Sequence, residues 1–129
     1  MSISTYNKTA VNRLAQTLKV LSEPNRLRIL CSLGLECRPV TDIIEDTGLA
    51  QTNVSFHLRT LREAGLVKPE RRGPYIYYCL PDPQLLNILS DLNAWLHAKE
   101  TKGSKPLDTR SGVENAKVRK FCQLAGAAK

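Results

Sequence analysis

No stretch of this chain approaches the roughly 20 consecutive apolar residues that a bilayer-crossing helix requires, so no membrane span is expected. Residues 1–10 (MSISTYNKTA) are polar and lack the apolar h-region of a secretory signal, which makes the cytoplasm the expected compartment. Histidines number two, His57 and His97, on separate segments. There is no glycine-rich phosphate loop, no nucleophile elbow and no pair of carboxylates in a pocket-like context, so the chain is not expected to be an enzyme. Aromatic residues make up only 5% of the chain, and Tyr75, Tyr77 and Tyr78 fall on one short hairpin, too small a stacking platform for an RNA-binding sheet. The four cysteines (Cys31, Cys37, Cys79 and Cys122) include no Cys-x-x-C pair, which excludes a zinc ribbon and a thioredoxin-type motif. In a reducing cytosol they are expected to be thiols.

What the chain does have is enough apolar residue, 42% of 129, for one modest globular core and not for two. The formal charge of +7 points to a polyanionic partner, but its distribution qualifies that reading. Residues 101–129 hold seven Lys/Arg against two Asp/Glu, whereas residues 1–100 hold twelve against ten. Local placement of arginine must therefore carry any nucleic-acid argument. Residues 1–100 read as one domain and residues 101–129 as a basic, flexible tail with room for a short helix over 113–124.

Helical spacing over 10–21 places Val11, Leu14, Ala15, Leu18 and Leu21 on one face. Ser22 suits an N-cap for a second helix beginning at Glu23-Pro24 and running to about Leu33, with Leu27, Leu30 and Cys31 inward. Thr41 is the expected cap of a short third helix containing Ile43 and Ile44, which Gly48 ends. Residues 51–64 form a fourth helix with Val54, Leu58 and Leu61 as its buried stripe, and two helices joined by a glycine turn make a helix-turn-helix. The period then changes. Residues 66–71 and 75–80, separated by Arg72-Gly73-Pro74, read as a β-hairpin, with Pro69 confining its strand to an edge. Helical spacing returns over 84–99 through Leu85, Ile88, Leu89, Leu92, Trp95 and Leu96. The expected fold is mainly α with a β-hairpin: a winged helix-turn-helix of order α-α-α-α-β-β-α, homodimeric because Leu92, Trp95 and Leu96 offer more apolar surface than a hairpin can cover.

The helix at 51–64 carries the candidate function. Gln51, Thr52, Asn53, Ser55 and Phe56 lie outward near its start, with His57 and Arg59 further along. Gln and Asn can pair bidentately with adenine, and Ser or Thr can reach a phosphate or a base. A recognition helix reads bases with its N-terminal residues. Arg59, Arg62, Lys68, Arg71 and Arg72 flank it, placed to neutralise phosphates or enter a narrow minor groove. The partner so implied is double-stranded operator DNA. The main alternative is a winged-helix module that contacts protein; acidic residues at the start of the helix would favour it, and 51–59 has none.

The runs LSEPNRLRIL (21–30), VTDIIEDTGLAQTNVSFHLRTLREAGLV (40–67) and RRGPYIYYCL (71–80) resemble the ArsR/SmtB family of winged-helix repressors, over roughly residues 10–99. The resemblance implies a homodimer paired through its first and last helices and released from operator DNA by an inducer. It implies DNA contacts from Gln51, Thr52, Asn53, Ser55 and His57, and a wing around Arg71, Arg72 and Tyr75. Ala50 departs from the family, many members of which place Ser there as the helix cap; the loss should cost about 1 kcal/mol. Zinc-sensing relatives use Asp-x-His and, ten residues on, His-x-x-Glu in the last helix. Here His97 and Glu100 match the second half, but Gln84 and Leu86 stand where Asp and His belong, and half a set does not hold a metal that wants about four ligands. Metalloid sensors group cysteines in the third helix, which has none here. Cys31 and Cys37 could approach each other, with Cys79 or Cys122 as a third thiolate for a soft ion. Other relatives oxidise a cysteine of the second helix, where Cys31 lies, against one in the last helix; here only Cys122 could reach back. Three readings stay open: four non-sensory cysteines, with Cys31 in the core and Cys79 in a strand; thiol sensing, with a thiol-bound metalloid or metal ion as inducer; or a metal held through His97 and Glu100.

Overall fold

A computed structural model describes residues 8–100 and 121–122 of the chain. Its elements run α1 (Lys8–Leu21), α2 (Pro24–Leu33), β1 (Arg38–Pro39), α3 (Val40–Thr47), α4 (Gln51–Glu63), β2 (Lys68–Arg72), β3 (Tyr75–Cys79) and α5 (Gln84–Glu100). Helical and strand periods thus fall where the apolar pattern puts them. The addition is β1, two residues long and without pattern of its own, which pairs antiparallel with β3 (Arg38 opposite Tyr78) and makes the hairpin a three-stranded sheet of order β1-β3-β2. Pro69 sits on β2, an edge strand, as its missing N–H requires. The hairpin closes through Gly73-Pro74, with Gly73 at φ +61°, the glycine-first turn whose twist suits paired strands.

The core is built chiefly from four helices. Ile29, Leu30 and Leu33 of α2, Ile43 of α3, Val54, Leu58 and Leu61 of α4, and Leu86 of α5 are almost wholly buried. Side chains of this size each contribute about 1.5–3 kcal/mol when removed from water, so the α2–α3–α4 contact is what fixes the helix-turn-helix angle. The turn itself is tied locally. Gly48, at φ +71°, donates its N–H to Ile44 O at 2.9 Å, and Leu49 N donates to Thr47 Oγ1 at 3.3 Å.

Two expected caps fall elsewhere. The cap of α2 is Glu23, whose carboxylate accepts from Arg26 N at 3.2 Å, while the Ser22 hydroxyl donates back to Lys19 O and closes α1. The residue before α3 is Pro39, which has no side-chain donor or acceptor, and Thr41 lies inside the helix. The start of α3 is secured instead by Arg38, whose guanidinium donates to Ser32 O at 2.9 Å and forms ion pairs with Asp42 and Asp46. Ser32 Oγ also donates to Asp46, at 3.1 Å, so one half-buried polar cluster joins α2, β1 and α3.

The apolar stripes of the outer helices are exposed. Val11, Leu14 and Leu18 of α1, and Ile88, Leu92, Trp95 and Leu96 of α5, are each between 44% and 60% exposed. Of the tail, Phe121 and Cys122 are helical and pack on the core, Cys122 being buried; the rest of the expected 113–124 helix lies outside the described residues. Among the described residues no helix is long and apolar enough to cross a membrane.

Candidate nucleic-acid interface

Val54, Leu58 and Leu61 commit one face of α4 to the core, which leaves Gln51, Thr52, Asn53, Ser55, Phe56, Arg59 and Arg62 exposed on the other. Ala50 precedes the helix without a side-chain cap, and no acidic residue occupies the first turn. The first N–H groups and the positive end of the helix dipole therefore stay available to an anion. The wing stands beside this end. Thr41, Gln51 and Ser55 on one side and Pro74, Tyr75 and Ile76 on the other line an open groove of about 340 Å³. Arg71, Arg72 and Tyr75 are exposed at the wing tip.

His57 departs from the others. Its side chain is 12% exposed and lies against the start of α2, with Nδ1 3.3 Å from Arg26 Nη1 and Nε2 3.7 Å from Glu23 Oε2. Arg26 in turn donates from Nε to Val20 O at 2.6 Å, so the three side chains lock α4 to α2 and to the end of α1. The spacing contained this information: residue 57 is three beyond Val54 and four before Leu61, at the border of the buried stripe.

The cysteines separate into two pairs, Cys37 with Cys79 and Cys31 with Cys122, so Cys31 and Cys37 do not group. Extending the β1–β3 register places Cys37 opposite Cys79, with Cα atoms 4.3 Å apart, and the two form a disulfide rather than the expected free thiols. Close cross-strand approach brings them together; Cys31 instead faces inward from α2 and is buried. Glu70 adjoins the disulfide, with Oε2 3.5 Å from Cys79 Sγ and 3.7 Å from Cys37 Sγ. The second pair is Cys31 and Cys122, both buried and hydrogen-bonded to each other. That bond, followed by burial, pushes the Cys31 thiol far above its ordinary range, while the same bond holds Cys122 below it. Cys31 is thus the member of the pair that holds its proton more tightly. His97 is exposed on α5, and the side chain of Glu100 lies outside the described residues.

This pair makes a direct prediction. With Cys37 and Cys79 held as the disulfide, a pH titration followed by thiolate ultraviolet absorbance should show one thiolate forming below the usual thiol pKa of about 8.5, and no second one near it. Cys31→Ala removes the hydrogen-bond partner and should move the Cys122 transition up. Two thiolates rising together near the ordinary value would refute the pairing. Because a depressed pKa stabilises the fold above the unfolded value and loses that contribution as pH falls through the folded one, the Cys122 contribution should fade on acidification.

A two-helix unit with an exposed polar recognition-type helix and an adjoining wing defines a winged helix-turn-helix regulator. The profile of the bacterial regulatory protein arsR family matches residues 23–68. The HTH-type transcriptional regulator NmtR of Mycobacterium tuberculosis is 42% identical over 82 residues, covering 64% of this chain and 68% of that protein. The arsenical resistance operon repressor of Bacillus subtilis is 31% identical over 96 residues, covering 72% and 90%. Among solved structures, the homodimeric winged helix-turn-helix DNA-binding domain from Mycobacterium bovis aligns with a TM-score of 0.62 at 27% identity, over 81% of this chain and 100% of that one. The chain belongs to the arsR family and is a DNA-binding transcriptional regulator.

Proposed function

We propose that the chain is a homodimeric repressor that holds operator DNA through α4 and the wing, and that leaves it when a metal ion, a metalloid or a thiol-reactive species engages its cysteines. The observation that carries the DNA reading is the exposed, acid-free N-terminal half of α4, clamped in place by core contacts and by His57. In this reading Gln51, Asn53 and Ser55 meet base edges, and Thr52 and Arg59 meet phosphates. Arg71, Arg72 and Tyr75 follow the flanking backbone or minor groove. His57 acts by positioning α4. The exposed stripes of α1 and α5 support pairing of two protomers, matching half-sites one helical turn apart. The Cys31–Cys122 pair supports a thiol response: a peroxide would take two electrons from the dithiol, joining the sulfurs and releasing water.

The test is a fluorescence-anisotropy titration of the reduced protein on DNA from its own upstream region, at several salt concentrations, then with arsenite, zinc and a persulfide donor added separately. Salt-sensitive, sequence-specific binding that one additive abolishes is the expected result. Absence of DNA binding in every state would overturn the reading in favour of a protein-contact module.

A further inference from the structure

We propose that Cys37, Cys79 and Glu70 form a binding site for a thiophilic divalent cation at the base of the wing, open when the disulfide is reduced. Two of the three residues lie on strands, Glu70 on β2 and Cys79 on β3, and the third adjoins one. Cys37 precedes β1 and faces Cys79 across the sheet, and Glu70 of β2, opposite Tyr77, is the diagonal neighbour of Cys79 on the same face. Their ligand atoms all lie within 4.8 Å of one another. The carboxylate is aimed. Arg72 Nε donates to Glu70 Oε1 at 3.1 Å, and the Arg72 guanidinium is itself seated 4.6 Å from the centre of the Tyr77 ring, which leaves Oε2 turned to the sulfurs.

The distances fit a metal. In a tetrahedral zinc site with Zn–S of about 2.3 Å and Zn–O of about 2.1 Å, sulfur and oxygen stand roughly 3.6 Å apart. The two sulfur–oxygen distances here are 3.5 and 3.7 Å. Only the sulfurs must move, from bonding distance to roughly 3.8 Å, a change that rotation of the cysteine side chains supplies. A dithiol reductant delivers two electrons and two protons to the disulfide and becomes a disulfide itself. The cation then displaces both thiol protons to solvent and binds two thiolates and one carboxylate. Water takes the fourth position, as at other sites with three protein ligands. Two sulfur ligands favour zinc or cadmium over magnesium or calcium. The residual negative charge of two thiolates and a carboxylate around a divalent ion is met by Arg72. The site stands independently of the DNA reading, because its occupancy is measurable without DNA.

The experiment uses the full chain, reduced with a dithiol that is then removed under argon, and titrated with Cd(II) while thiolate-to-cadmium charge-transfer absorption is followed. Saturation at one ion per protomer is expected, retained in excess magnesium and retained in Cys31→Ser/Cys122→Ser. Loss of the absorption in Cys37→Ser and in Cys79→Ser is expected. Glu70→Gln, which keeps both thiols, should weaken binding by about tenfold or more, the scale on which even an outer-shell partner registers. If the buried double variant does not fold, by far-ultraviolet dichroism, the Cys37, Cys79 and Glu70 variants decide alone. Unchanged stoichiometry without Cys37 or Cys79, or unchanged affinity in Glu70→Gln, would overturn the site. Either failure would leave operator binding by the same sample intact, which separates it from failure of the repressor reading.

Discussion

Replacing Gln51 and Asn53 together by alanine is expected to remove sequence-specific DNA binding while leaving the fold untouched. Both side chains are exposed in the first turn of α4 and neither joins the buried stripe. Alanine is the best helix former and exposed substitutions of this kind change stability by about 0.5 kcal/mol or less, so the melting temperature should hold. A bidentate contact to a base discriminates by about 1–3 kcal/mol. Losing two should therefore cost operator affinity roughly 30-fold to 10⁴-fold, if the two act independently. Arg59, Arg71 and Arg72 remain, so weak, salt-dependent binding to unrelated DNA should survive with its slope unchanged. Anisotropy titrations on operator and on scrambled DNA measure both quantities. Equal affinity of variant and wild type for the operator would show that α4 does not read the sequence.

The elements were legible because their residues carry local signals: the stripe Val54, Leu58, Leu61 fixes α4, and the run of strand-forming residues Tyr75–Cys79 after the Gly73-Pro74 turn fixes β3. β1 was not, because two residues carry no period and Arg38-Pro39 becomes a strand only by pairing with β3, a contact some forty residues away in the chain. The same distance hid the Cys37–Cys79 pairing, which forms only through that strand register. The family resemblance left Cys122 as the one cysteine able to reach back to Cys31, and packing of Phe121–Cys122 on the core brings it there. Caps were misplaced for a local reason. Ser22 and Thr41 have good capping side chains, but Glu23 competes one residue later, and Arg38 ties the start of α3 to α2 through Ser32 and Asp46. His57 was read outward because its polarity outweighed its place beside the stripe; its partners Glu23 and Arg26 lie some thirty residues earlier. For the exposed residues of α4 and the wing, polarity and period agreed, and there sequence and structure give the same surface.

The exposed stripe of α5 makes the second large prediction. Ile88, Leu92 and Leu96 recur at intervals of four, so they line one face of the helix, while Leu86 and Leu89 face the core. Leu92→Glu/Leu96→Glu places two charges on that exposed face, where neither original side chain fills the protomer core, so each protomer should keep its helicity. Between protomers the same charges would be buried opposite their own copies, with like-charge repulsion added to desolvation. Sedimentation should then report the 14.4 kDa protomer alone, against twice that mass for the wild type. Operator affinity should fall with it. In a dimer the second half-site is bound intramolecularly, an advantage of about 10²–10⁴-fold that separate protomers lose. A single half-site should be bound almost as before, because α4 and the wing are unaltered. A double variant that remains a dimer would place the interface elsewhere. One that is monomeric yet binds the full operator as tightly as the wild type would mean that pairing contributes nothing to recognition.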